Sequence, residues 1–126
     1  MRVRLITLLR KNAKMLKAGD IVLTGFPYAE KQRTKYRPAL VISKKEFHEI
    51  FGICWVVMIT SAENEPWDGD VALSASSKTG LSKPSIIRPS KLTTLDLAVV
   101  EKIGVVAPSI LRQAVNSIHL HLAKID

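Results

Sequence analysis

An arginine heads one apolar run, Arg37-Pro38-Ala39-Leu40-Val41-Ile42-Ser43, and a second run closes on Ile59-Thr60-Ser61. Three cations, Lys31, Arg33 and Lys35, crowd the approach to the first. Two strands could hold a guanidinium and two hydroxyls at one end of a sheet. That set suits binding a phosphodiester and, once aligned, cleaving it. A guanidinium donates paired hydrogen bonds to phosphoryl oxygens and stays charged at any working pH. Aimed at charge that develops in a transition state, such a donor typically lowers the barrier by about 3 kcal/mol. The same residues admit a plainer role, with Arg37 an edge-strand charge and Thr60-Ser61 a β-former and a turn residue ending a strand.

The whole chain bounds what these residues can serve. At 126 residues with 47% apolar content it is one globular domain, large enough to bury a core without disulfides or metal. Its 19 Lys and Arg against 11 Asp and Glu leave +8, which favours a polyanionic partner, nucleic acid before an anionic membrane surface. The lone Cys54 sits in an apolar run and reads as a buried thiol, and a single cysteine excludes an intramolecular disulfide. That suits a reducing compartment. No apolar stretch approaches the length of a membrane span. Leu5-Ile6-Thr7-Leu8-Leu9 is too short for a signal-peptide core and runs into Arg10-Lys11, so a cytoplasmic location and no membrane role are expected. His48, His119 and His121 make no ligand set. The last two would stand about 200° apart on a helix. Each reads as a surface or boundary histidine, and neither a metal nor a cofactor is expected.

Positioning these groups falls to a mostly β chain. Residues 2–17 read as a basic amphipathic helix, with Leu5, Ile6, Leu8, Leu9, Ala13 and Leu16 at helical spacing. Met15, just before the first strand, offers an alternative start. Strands are expected over 21–26, 38–43 and 53–60, the last a nearly continuous apolar run that suits a central strand covered on both faces. Pro38 belongs at a strand start or edge. A basic loop should span 28–36, with Asp20 a turn or cap residue. Beyond a loop over 62–69, short strands are expected at 70–73, 85–88, 91–94 and 102–106, with a surface loop over 74–83. Pro108 opens a closing helix whose stripe is Leu111, Ala114, Val115, Ile118, Leu122 and Ile125. Trp55 reads as core, and Trp67 as either locally packed or able to stack on a base. Many short strands with one terminal helix suggest a small, strongly bent, barrel-like sheet.

Taken in order, the blocks Gly19-Asp20-Ile21-Val22, Arg37 to Val41, Ile59-Thr60-Ser61, Lys83-Pro84-Ser85-Ile86-Ile87-Arg88-Pro89 and Leu92-Thr93-Thr94-Leu95-Asp96 resemble the MazF/PemK family of toxin endoribonucleases. The resemblance spans roughly residues 18–125. It divides the chain into an N-terminal basic extension, residues 1–17, and a toxin-like domain, residues 18–126. It implies an SH3-like, twisted antiparallel barrel with flanking helices and a C-terminal helix, the MazF/PemK/CcdB-like fold, usually as a homodimer. It also implies sequence-selective, metal-independent cleavage of single-stranded RNA by the toxin of a type II toxin–antitoxin pair, neutralised by a cognate antitoxin.

RNA carries its own nucleophile, the 2′-hydroxyl beside the scissile phosphate, so cleavage would leave a 2′,3′-cyclic phosphate and a 5′-hydroxyl. The resemblance places phosphate stabilisation on Arg37, phosphate positioning on Thr60 and Ser61, and a contribution to catalysis on Arg88. Some relatives carry an acid two positions after that arginine, where Ser90 stands here. A serine cannot take the proton at neutral pH, so Glu30, in the basic loop, is the carboxylate candidate for general base. Lys31, Arg33 and Lys35 would follow the RNA backbone, and Trp67 could stack on a base. Two rivals stand beside this reading. One is an RNA- or antitoxin-binding barrel whose catalysis has decayed. The other, a gyrase poison of the same fold, would act through an aromatic C-terminal tail, whereas these residues end Leu122-Ala123-Lys124-Ile125-Asp126.

Overall fold

The computed structural model describes residues 16–28 and 33–125. The expected N-terminal helix, but for Leu16 and Lys17, lies outside the described residues, as do Glu30 and Lys31. Leu16 and Lys17 are not helical. They lead into a turn at Ala18-Gly19 in which the Lys17 N–H donates to the Asp20 carboxylate at 2.9 Å, as a turn residue requires.

In chain order the described elements are β1 (Asp20–Tyr28), β2 (Arg33–Val41), α1 (Lys45–Phe51), β3 (Ile53–Ser61), β4 (Val71–Leu73), β5 (Ser85–Asp96), a 3₁₀ turn (Leu97–Val99), β6 (Val100–Val105) and α2 (Pro108–His121). The six strands form one antiparallel sheet in the order β4-β5-β3-β2-β1-β6, curled into a half-barrel. This is the mainly β, bent architecture that the strand pattern suggests.

The central strand explains its own sequence. Alternate residues of a strand face opposite sides, and both sides of this sheet are covered. Val57 and Ile59 join Ile21, Leu40, Ile87 and Ala114 in one cluster, against which Ile110, Leu111 and Ile118 of α2 pack. Cys54 and Val56 join Leu16, Val22, Ala39, Val41 and Leu97 in a second. A strand buried on both faces has no polar period to show. Burial pushes the Cys54 thiol up to about 11, so it stays protonated.

Several expectations need correcting. β2 begins at Arg33, pairing Arg33 with Tyr28, so the basic loop expected to reach residue 36 is shorter. Arg33-Thr34-Lys35-Tyr36-Arg37 alternates cations with β-formers, and that period outweighs its loop-like composition. Pro38 sits inside β2, where the register with β3 covers only residues 39–41, so the strand is an edge on that side at Pro38. The strands expected at 85–88 and 91–94 are one strand, bent where Val57 faces Leu92 and Met58 faces Arg88, with residues 89–91 bulged between. Helix α1, for which the sequence offered no element, ends on Gly52 in a left-handed conformation at φ 68°. Helix α2 ends at His121, so Leu122 and Ile125 do not join the docked stripe, and Ile125 is 95% exposed.

Two side chains change place as well. Trp55 is 44% exposed, its ring 4.4 Å from Phe47 of α1 rather than in the core. His48 is fully buried, not a surface histidine. Its Nε2 lies 2.6 Å from the Ser43 hydroxyl and its Nδ1 3.1 Å from the Leu16 carbonyl. A carbonyl can only accept, so Nδ1 carries the proton and Ser43 donates to Nε2, while the Ser43 oxygen accepts from the Trp55 N–H at 2.9 Å. The imidazole thereby ties the chain before β1 to α1 and β3.

The sheet closes through a loop. The Val105 N–H on edge strand β6 donates to the Lys78 carbonyl at 2.8 Å, in the segment that follows β4 at the other edge. The approach needs glycine on both sides. A Cβ on Gly104 would lie 2.2 Å from the Thr79 carbonyl, and one on Gly80, at φ +74°, 2.3 Å from the Ile103 carbonyl oxygen.

Candidate functional site

Where β2, the end of β3 and the start of β5 converge, a cavity of about 310 Å³ opens to solvent. Arg37, with Tyr36 and Pro38, enters it from β2, and Thr60 and Ser61 enter from β3. The loop before β5 adds Leu81, Ser82 and Lys83, and Ser85 begins the strand itself. The structure therefore brings Arg37 of β2 together with the adjacent Thr60 and Ser61 of β3. β3 ends there because its register with β5 runs out at Ser61↔Ser85, after which Ala62 N–H donates to the Pro84 carbonyl at 3.1 Å.

The hydroxyls at this strand end are held from the following turn. The Asn64 side-chain amide donates to the Thr60 hydroxyl at 2.6 Å, and the Glu63 N–H to the Ser61 hydroxyl at 3.3 Å. Two cations, Arg37 and Lys83, share the cavity wall with the hydroxyls of Thr60, Ser61, Ser82 and Ser85. Such a wall can hold an anion with several oxygens, a phosphate above all.

Arg88 is placed differently from these. It is 6% exposed and is not among the residues lining the cavity. Its Nε donates to both Asp70 carboxylate oxygens at 3.1 and 3.3 Å, and its Nη2 to Asp70 at 2.8 Å and to the Glu65 carbonyl at 2.8 Å. Its guanidinium carbon lies 4.2 Å from the centre of the Trp67 ring. The hydrogen bond to Asp70 raises the guanidinium's pKa. For Asp70, burial works to raise the pKa, but the hydrogen bond from Arg88, the Trp67 N–H and the Arg88 charge outweigh it and hold the carboxyl below its usual value. Trp67 is thus packed on Arg88, with the Lys91 ammonium 5.1 Å from its ring centre.

Of the remaining sequence candidates, Arg33 and Lys35 belong to the stretch of β2 that leads to Arg37, and Glu30 and Lys31 lie outside the described residues. Among the described residues, no group of three His, Cys, Asp or Glu side chains is placed to hold a metal ion. Sequence reasoning missed Tyr36, Asn64 and Lys83 as cavity residues. Lys83 stands in the block Lys83-Pro84-Ser85, and Tyr36 next to Arg37, so both were within reach. Asn64 carried no signal beyond following Thr60 by four.

A model of the PemK-like, MazF-like toxin of type II toxin–antitoxin systems matches residues 17–122. No curated protein sequence matches the chain. Among solved structures it is similar to a MazE–MazF structure from Deinococcus radiodurans, at 20% identity and TM-score 0.70, over 83% of this chain and 93% of that one. MazF from the same organism has 20% identity and TM-score 0.67, over 83% and 94%. A mycobacterial endoribonuclease in complex with its cognate antitoxin has 15% identity and TM-score 0.68, over 83% and 92%. At these identities the likenesses speak for the fold alone.

Proposed function

Because the chain belongs to the PemK-like, MazF-like toxins of type II toxin–antitoxin systems, we propose that it is an endoribonuclease that cleaves single-stranded RNA at selected sequences without a metal ion. It acts in the cytoplasm as a homodimer and is countered by a cognate antitoxin. The observation that carries this reading is the meeting of Arg37, Thr60 and Ser61 on one solvent-open cavity.

The substrate's 2′-hydroxyl attacks the adjacent phosphorus, and the bond from phosphorus to the 5′-oxygen breaks. The 2′ proton is lost to a base and the departing 5′-oxygen gains one, giving a 2′,3′-cyclic phosphate and a 5′-hydroxyl. Arg37 neutralises the charge that builds on the non-bridging oxygens, where a fixed donor is worth about 3 kcal/mol. Thr60 and Ser61 fix the phosphate for in-line attack, and Lys83 adds a second positive charge to the wall. Glu30 is the proposed base. Lys31, Arg33 and Lys35 follow the backbone of the strand leading into the cavity.

The test is cleavage of a long single-stranded RNA in excess EDTA by wild type and Arg37→Ala, with the product ends analysed. Wild type should yield cyclic-phosphate ends, and Arg37→Ala should be slower by at least about a hundredfold. No cleavage of varied RNAs by folded, antitoxin-free wild type would overturn the nuclease reading in favour of a barrel that only binds.

A further inference from the structure

We propose that Asn64 is a positioning residue for this reaction, acting through Thr60, and that Arg88 holds it in place from behind. The inference rests on the nuclease reading above.

A hydroxyl has one proton to give and lone pairs to receive with. The Asn64 amide donates to Thr60 Oγ1 at 2.6 Å, so the Thr60 proton is turned towards some other acceptor. Both residues line the cavity that Arg37 enters, and the acceptor the reaction would bring there is a phosphoryl oxygen. Without the amide, the hydroxyl could rotate through its other staggered positions, and its bond to the phosphate would have to be won from that freedom at each turnover.

Asn64 lies on the connection from β3 to β4, which has little regular structure to fix it. It is fixed from two sides instead. On one, the Asn64 N–H donates to the Ser61 carbonyl at 3.1 Å. On the other, Arg88 grips the very next residue, donating to the Glu65 carbonyl at 2.8 Å, and pairs with Asp70 at the end of the same connection. The Trp67 ring lies on the guanidinium between those two points. Arg88 therefore serves the site through the turn that carries Asn64. A lysine there would keep the charge but lose the fork that binds carboxylate and carbonyl together.

A double-mutant cycle tests this, with kcat and KM measured on one defined single-stranded RNA for wild type, Asn64→Ala, Thr60→Val and the double variant. Asn64 is exposed, so its substitution should leave the melting temperature within a few degrees, as a thermal melt will verify. Asn64→Ala should lower kcat about tenfold with KM little changed, and should cost nothing further in the Thr60→Val background. Arg88→Lys, if folded, should lower kcat in the same way and add nothing to Asn64→Ala. Equal kcat for wild type and Asn64→Ala would overturn the role and leave the nuclease reading standing. So would a tenfold loss that persists in the Thr60→Val background, since Asn64 would then act by another route. Absence of cleavage by wild type would overturn the nuclease reading and this role with it.

Discussion

Arg88 and Asp70 form a buried pair whose contribution depends on pH in a direction the site itself dictates. The Asp70 carboxyl titrates below its unfolded value, so its stabilisation is fully present above about pH 4 and is lost as pH falls through the lower folded value. Asp70→Asn should therefore lower the melting temperature at neutral pH. The gap from wild type should narrow as the pH is brought below about 4, which thermal melts across that range will measure. A gap that stayed constant into acid would mean the carboxylate's charge is not what matters there. At this scale the sequence was readable where chemistry and position coincide. Arg37 and Thr60-Ser61 stand at the ends of apolar runs, and the structure sets them on one cavity, Thr60-Ser61 at the end of β3 and Arg37 in the middle of β2. It was opaque where the partner decides. Trp55 is flanked by buried Cys54 and Val56, and only the arrival of Phe47 from α1 shows that its ring lies on an outer surface. Likewise, residue type gives no hint that His48 would be enclosed by Ser43 and a backbone carbonyl 32 positions away.

Among elements, the contact between β6 and the segment after β4 leaves the least room for change. Gly104→Ala would push a methyl group into the Thr79 carbonyl and the Lys78 oxygen, and main chain cannot give way as a side-chain tip can. The expected loss is about 1–3 kcal/mol of folding stability, read from the urea midpoint. An unchanged midpoint would show that the seam yields without cost. Most of the strands were legible because β-formers and apolar residues persist through them, but the cations that open β2 read as loop, and the bulge at 89–91 was legible only as a break between two strands. Helix α1 was not legible, since its seven residues are too few for a helical period to declare itself. The closing helix was read correctly at its proline and too far at its end, because Leu122 and Ile125 keep the spacing of a stripe after the helix has stopped.

For the whole molecule, on the nuclease reading, a charge of +8 predicts how RNA should be held. Binding of a non-cleavable single strand should weaken as salt rises, with a log–log slope of about −0.7 for each phosphate contacted. Replacing Lys31, Arg33 and Lys35 with alanine should make that slope shallower and weaken RNAs of different sequence alike. A sequence-dependent loss would assign those residues to base recognition instead. The closing seam also bears on when the cavity is complete. Arg37 and Thr60 leave the ribosome early, yet Leu81 and Lys83 of their cavity belong to the segment that Gly104 and Val105 seat, and those residues are translated late. The nascent chain thus carries Arg37 and Thr60 long before the segment that bears Leu81 and Lys83 can be seated. On the nuclease reading proposed above, a chain truncated before Gly104 would lack the residues that seat this segment and should not cleave RNA.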